Sequence, residues 1–93
     1  MLNQTMTPTT KTSAIAKAED LLQSSIVWGI GALLTRNPNH ALRSAVDAAR
    51  VQRALRSVPA SRKVTRLVEM AVGIQAKQSA TFLTLRSGKA VTQ

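Results

Sequence analysis

Apolar residues recur at steps of three and four through most of this chain, and that spacing is the feature that most constrains its fold. The most regular run consists of Ala60, Val64, Leu67, Ala71, Ile74, Gln78, Thr81 and Leu85. This period places one side chain from each turn on the same helix face, whereas a strand would alternate every second residue. Proline and asparagine breaks divide the pattern into three segments. The sequence therefore predicts an all-α fold.

We predict three helices, at about residues 13–35, 40–57 and 61–80, the third longer if it continues to Gly88. The break Arg36-Asn37-Pro38-Asn39 separates the first two, and Asn39 and Ser61 can cap the second and third. Because only a short turn containing Pro59 joins the second and third helices, we expect them to form an antiparallel hairpin.

The domain organisation predicted from these segments is simple. Residues 1–12 are Thr-rich and polar and form an N-terminal arm, while residues 13–93 form a single helical domain. That domain comprises the first helix, a basic hairpin over residues 36–86 and a tail over residues 87–93. The C-terminal region is ambiguous, since Thr81–Leu85 has β-forming residues and Ser87-Gly88 suits either a hairpin turn or a helix C-cap.

The segment Ile26–Leu34 is nine consecutive apolar residues in the first helix, and we expect it to be buried. It is too short for the ~20 residues that span a bilayer, and no signal-peptide cleavage pattern follows it. We therefore expect no transmembrane helix or signal peptide, and a location in the cytoplasm or inside a virus-like particle. Because fourteen of the apolar residues are alanine, a monomer's core would be thin, and we expect a homo-oligomer or a larger assembly. The predicted assembly interface is Leu22, Ile26, Trp28, Ile30 and Leu33.

Charge is distributed unevenly along the chain. Residues 1–35 have no net charge, whereas residues 36–93 carry eleven Lys and Arg residues against Asp47 and Glu69, a net charge of +9. Such a basic excess favours an anionic partner, and Arg binds phosphate through two parallel hydrogen bonds. We expect Asp47 on the exposed arc of the second helix, between two of the arginines. The predicted anion-binding residues are Arg43, Arg50, Arg53, Arg56, Arg62, Lys63 and Arg66.

Groups able to perform catalysis are scarce. The chain has one histidine, four carboxylates and no cysteine, and no metal-ligand spacing or phosphate-binding loop is present. We expect His40 to be a solvated turn residue. The sequence predicts a protein that is not an enzyme, with no catalytic residue, metal site or cofactor.

Residues 67–83 also resemble a helix-turn-helix motif, with Gly73-Ile74 at the position of its turn. Glu69 stands where the motif usually has alanine. An uninterrupted amphipathic helix also accounts for the same residues.

The leading functional hypothesis is a nucleic-acid-associated protein with a packaging, compaction or accessory role on DNA or RNA. One Trp, one Phe and no Tyr leave few platforms for stacking bases, so contacts to phosphates should dominate. One alternative is a structural or adaptor subunit of a large assembly such as a virion, filament or secretion machine. Another is a small inhibitor or regulator that docks its arginine face on an acidic protein.

Overall fold

The computed structural model describes residues 8–88, which form three α-helices and no strand. The helices are α1 (Pro8–Thr35), α2 (Pro38–Leu55) and α3 (Arg62–Arg86). The predicted all-α fold of three helices is confirmed. Within this part of the chain, no helix is both long enough and apolar enough to cross a bilayer.

The start of α1 differs from the predicted one. α1 begins at Pro8, ahead of the predicted start near residue 13, so the end of the predicted polar arm is helical. The remainder of the arm, residues 1–7, and the tail residues 89–93 lie outside the described part of the chain.

Local capping explains where α2 begins. Asn37, rather than the predicted Asn39, is the N-cap, and its side chain accepts a hydrogen bond from the backbone N–H of Asn39 at 2.8 Å. Pro38 follows as the first helical residue. Arg36 adopts a left-handed conformation, with φ of 56°, that turns the chain between α1 and α2. The predicted break is therefore confirmed, with its cap two residues earlier.

The ends of α3 are also set by local chemistry. Ser61 caps it as predicted, accepting a hydrogen bond from the backbone N–H of Val64 at 3.2 Å. At the other end, Gly88 has a φ of 74° and donates its N–H to the carbonyl of Leu85. A left-handed glycine commonly ends a helix. Residues 81–85 are thus helical, and α3 runs unbroken through Gly73, which excludes the helix-turn-helix interpretation.

α2 is the central helix and packs against both neighbours, while α1 and α3 contact each other much less. Both connections are short, so α2 runs antiparallel to α1 and to α3, and the predicted hairpin is confirmed. The predicted apolar run of α3 faces α2 through Val64, Leu67 and Ala71, although Ala60 lies exposed before the helix. The molecule measures 55 × 23 × 18 Å, with its helices along the longest dimension.

Small side chains let α1 and α2 approach closely. The buried residues of this contact on α1 are Ala18, Leu22, Ser25 and Ala32, and Gly29 lies among them. Gly29 faces Ser44 of α2, so that a Cβ at this glycine would lie 3.1 Å from the Ser44 hydroxyl. The larger Ile26 and Leu33 follow Leu22 and Gly29 by four residues each in the apolar pattern, but their side chains point outward instead. The expectation that Ile26–Leu34 is buried is therefore wrong for its large aliphatic residues in the single chain, although Ala32 is buried.

The main core lies where the first half of α1, the second half of α2 and the first half of α3 meet. Its buried members are Ala18, Leu22, Ala48, Val51, Leu55, Val58, Val64, Leu67 and Ala71. Alanine fills many of these positions, so the core is thin, as the composition indicates. The opposite end of the molecule has no comparable cluster among the described residues.

Candidate anion-binding surface

The seven predicted anion-binding residues all have exposed side chains, but they do not form one continuous surface. Arg43 lies in the first half of α2. The other six lie near the turn that joins α2 to α3, at the end of the molecule that holds the main core. We call this group the basic end; its members are Arg50, Arg53, Arg56, Arg62, Lys63 and Arg66.

Asp47 is buried rather than exposed, which corrects its predicted position. Its side chain is 2% exposed and accepts a hydrogen bond from the Ser24 hydroxyl at 2.7 Å. Because α2 packs against helices on two sides, its buried arc is wider than its apolar pattern alone indicates. Arg50 and Arg43 approach the same carboxylate at 3.6 and 3.9 Å. These two arginines therefore partly neutralise a buried acid within the chain.

Arg43 has a second intramolecular contact. Its guanidinium lies 5.0 Å from the centre of the Trp28 ring, within the range of a cation–π interaction. His40 packs against the same ring, with the two ring centres 5.2 Å apart, and its Nδ1 lies 3.0 Å from the Thr35 hydroxyl. His40 is thus half-buried in the first turn of α2, not a solvated turn residue. Arg43 belongs to this structural cluster rather than to the basic end.

Lys63 forms the third ion pair within the described residues. Its Nζ lies 3.0 Å from Oε2 of Glu19 on α1, and both side chains are exposed. An exposed pair of this kind contributes only about 0.2–1 kcal/mol to stability. Lys63 can therefore exchange Glu19 for an external anion at little energetic cost.

Four arginines of the basic end make no ion pair or side-chain hydrogen bond within residues 8–88: Arg53, Arg56, Arg62 and Arg66. Arg62 and Arg66 line a concave surface with Thr65 and Glu69 at the start of α3. No acidic residue lies in the first turn of α3. The positive end of this helix dipole therefore adds to the local positive potential.

Lys17 also lies at the basic end, although it is not among the anion-binding residues predicted from the sequence. It lines a concave surface of about 360 Å³ together with Leu21, Arg50, Arg53 and Ala54. The charge count by segment missed Lys17 because Glu19 and Asp20 cancel the lysines of residues 1–35. The antiparallel packing of α1 on α2 is what brings it beside these two arginines.

The five residues of the predicted assembly interface do not lie on one surface. Leu22 is only 6% exposed and belongs to the main core, and Trp28 packs against α2. Neither therefore lies on an exposed assembly surface. Ile26, Ile30 and Leu33 are exposed, and Val27 and Leu34 are exposed beside them. We call these five residues the apolar stripe.

The described residues contain no group of three or more His, Cys, Asp or Glu side chains placed to hold a metal ion. Comparisons with protein-family models, with curated proteins and with solved structures found no match to this chain.

Proposed function

We propose that this chain binds nucleic acid through phosphate contacts made by the basic end, without catalysing a reaction. The observation that carries the proposal is the group of four exposed arginines that have no acidic partner within residues 8–88. Glu69 lies beside Arg62 and Arg66 without forming an ion pair, so the group keeps an excess of positive charge that a polyanion would neutralise. Lys17 and Lys63 extend the same end of the molecule.

The basic end suits the phosphate backbone better than the bases. The only Trp and Phe of the chain lie elsewhere: Trp28 is in contact with His40 and Arg43, and Phe82 is near the end of α3. Without an aromatic platform at the arginines, stacking of single-stranded bases contributes little. Contacts to phosphate carry no direct sequence information. The proposed role is accordingly packaging, compaction or an accessory function with little sequence preference.

Binding across a range of salt concentrations tests this proposal. Four to six phosphate contacts give a slope of log K against log salt of roughly −4 to −5. Affinity for duplex DNA or RNA should then fall about 10²–10³-fold between ~50 and ~200 mM salt. Fluorescence anisotropy with three duplexes of unrelated sequence should give dissociation constants that agree within a few fold. Absence of binding at ~50 mM salt would contradict the proposal.

A second function, as a structural subunit of a larger assembly, is favoured by the apolar stripe. Its five side chains are between 40% and 78% exposed, on a segment with no charged residue from Leu21 to Thr35. A contiguous exposed apolar surface of this kind is typical of protein–protein contacts. The two functions are compatible if the assembly encloses or coats nucleic acid.

A further inference from the structure

We infer that the apolar stripe of α1 binds the same stripe of a second copy of this chain, with the two helices antiparallel. The first reason is the amount of surface. The stripe's exposed fractions together equal about three fully exposed aliphatic side chains on each copy. Monomeric proteins rarely leave such a group uncovered on one helix face.

The arrangement of the stripe is symmetric about Ile30. Ile26 and Leu34 lie four residues to either side of it, and Val27 and Leu33 lie three residues to either side. A two-fold interface requires that residue i of one copy contact residue j of the other, and j contact i. With the axis at Ile30, this condition is met by apolar residues at every position: Ile30 meets Ile30, Ile26 meets Leu34, and Val27 meets Leu33.

The surface beside the stripe can accept these side chains. Ile26, Ile30 and Leu33 line a cavity of about 240 Å³ between α1 and α3, with Ile74 on its far side. A second cavity, of about 370 Å³, adjoins Leu33 and extends to Leu85. The apolar surface is therefore a groove between α1 and α3, with the apolar stripe as a ridge along one side. Two helices pack when the side-chain ridge of one enters the groove of the other.

The distribution of charge selects a second copy in the antiparallel orientation. The acids Glu19 and Asp20 precede the stripe, whereas Arg36 follows it. In an antiparallel pair, Glu19 and Asp20 of each copy lie toward Arg36 of the other copy. In a parallel pair, Arg36 of one copy would lie beside Arg36 of the other. The antiparallel pair also separates the two basic ends by roughly 40 Å along the helix axes, at 1.5 Å per residue. That distance is several Debye lengths at physiological salt, so the net charge of +9 on each copy does not oppose association.

Other occupants suit this surface less well. Among the residues that line the two cavities, the cations are Lys77 and Arg36, two charges against the six of the basic end, so a phosphate backbone is held less well here. A helix lying on an anionic membrane carries basic residues alongside its apolar face, whereas residues 21–35 of α1 have none and the one lysine in the groove, Lys77, comes from α3. The dimer follows from the apolar stripe alone and does not depend on nucleic-acid binding. If both hold, each dimer presents two basic ends and can bridge two duplex segments.

Light scattering of the full chain after chromatography tests the dimer. The wild type should have twice the monomer mass of 10.0 kDa at micromolar concentration. Ile30→Glu should give the monomer mass while retaining its helical circular dichroism. Leu83→Glu, at a similarly exposed leucine on α3, adds the same charge and should leave the dimer intact. A wild-type monomer at all concentrations would overturn the inference, and so would a dimer that survives Ile30→Glu.

Disulfide crosslinking determines the orientation, because the chain contains no cysteine of its own. Single variants Ile26→Cys and Leu34→Cys are mixed and oxidised mildly. In an antiparallel pair, the two different variants should crosslink with each other roughly tenfold faster than either crosslinks with itself, because a disulfide requires closely approaching Cα atoms. Faster self-crosslinking of each variant would indicate a parallel pair and overturn the inference. Nucleic-acid binding is measured separately on the Ile30→Glu monomer, so failure of one proposal is distinguishable from failure of the other.

Discussion

Ser25 of α1 and Ser44 of α2 exchange reciprocal hydrogen bonds across the helix contact. The Ser25 hydroxyl donates to the Ser44 carbonyl at 2.7 Å, and the Ser44 hydroxyl donates to the Ser25 carbonyl at 2.6 Å. Both residues are fully buried. A polar pair therefore occupies the centre of an interface that is built largely from small side chains, and it fixes the axial register of α1 against α2.

Replacing Ser44 with alanine should lower the free energy of unfolding by about 0.5–1.5 kcal/mol, because the buried Ser25 carbonyl loses the hydroxyl that donates to it. The hydrogen bond from the Ser25 hydroxyl to the backbone carbonyl of residue 44 remains. Ser79, which is exposed on α3, provides the matched control. We expect Ser79→Ala to change stability by less than about 0.5 kcal/mol. Urea unfolding followed by circular dichroism measures both, and equal effects would contradict the role assigned to the serine pair.

Two glycines provide a second comparison. At Gly29, an added Cβ would lie 3.1 Å from both the Ser44 hydroxyl and the Gln78 side-chain nitrogen. At Gly73, nothing lies within 4 Å of the same position. Gly73→Ala should therefore stabilise the protein by about 0.5–1 kcal/mol through helix propensity.

Gly29→Ala should instead destabilise it, since the Ser44 hydroxyl is held by its hydrogen bond and cannot move away freely. Thermal melts of the two variants are sufficient for the comparison. The close packing of α1 on α2 would be contradicted if Gly29→Ala raised the melting temperature as much as Gly73→Ala.

The buried carboxylate of Asp47 provides a third prediction. Asp47→Ala removes the carboxylate that accepts the hydrogen bond of the Ser24 hydroxyl and that forms ion pairs with Arg43 and Arg50. We expect a loss of about 1–3 kcal/mol in the free energy of unfolding. Glu69→Ala, at an exposed position of α3, should change it by no more than about 0.5 kcal/mol. A loss at Glu69 that matches the loss at Asp47 would show that burial is not the cause.

Local signals in the sequence predicted the breaks and the Ser61 cap, because these depend on residues a few positions apart. The spacing of apolar residues predicted three helices and most of the contact face of α3. The start of α1 was missed because its first residues are polar and Thr-rich and show no apolar period.

The rotation of α1 could not be predicted from hydrophobicity. Ser25 and Ala32 are buried and Ile26 and Leu33 are exposed, because close approach of the helices favours small residues over large ones. The membership of the candidate site could not be predicted in full from the sequence either. The charge pattern indicated the basic residues, but the contact with Trp28 that separates Arg43 from the group and the packing that adds Lys17 are tertiary features.

The central claim is that the basic end contacts phosphate, and the salt dependence of two charge-matched variants tests it most directly. Arg62→Gln with Arg66→Gln removes two basic-end arginines, while Lys77→Gln with Arg86→Gln removes two cations from the second half of α3. Each phosphate contact contributes about 0.9 to the slope of log K against log salt, so we expect the first variant to lose about 1.8 from the magnitude of that slope on duplex DNA. The second variant should keep the wild-type slope. Equal slopes for the two variants would contradict the proposed site, because the effect would then depend on net charge rather than on position.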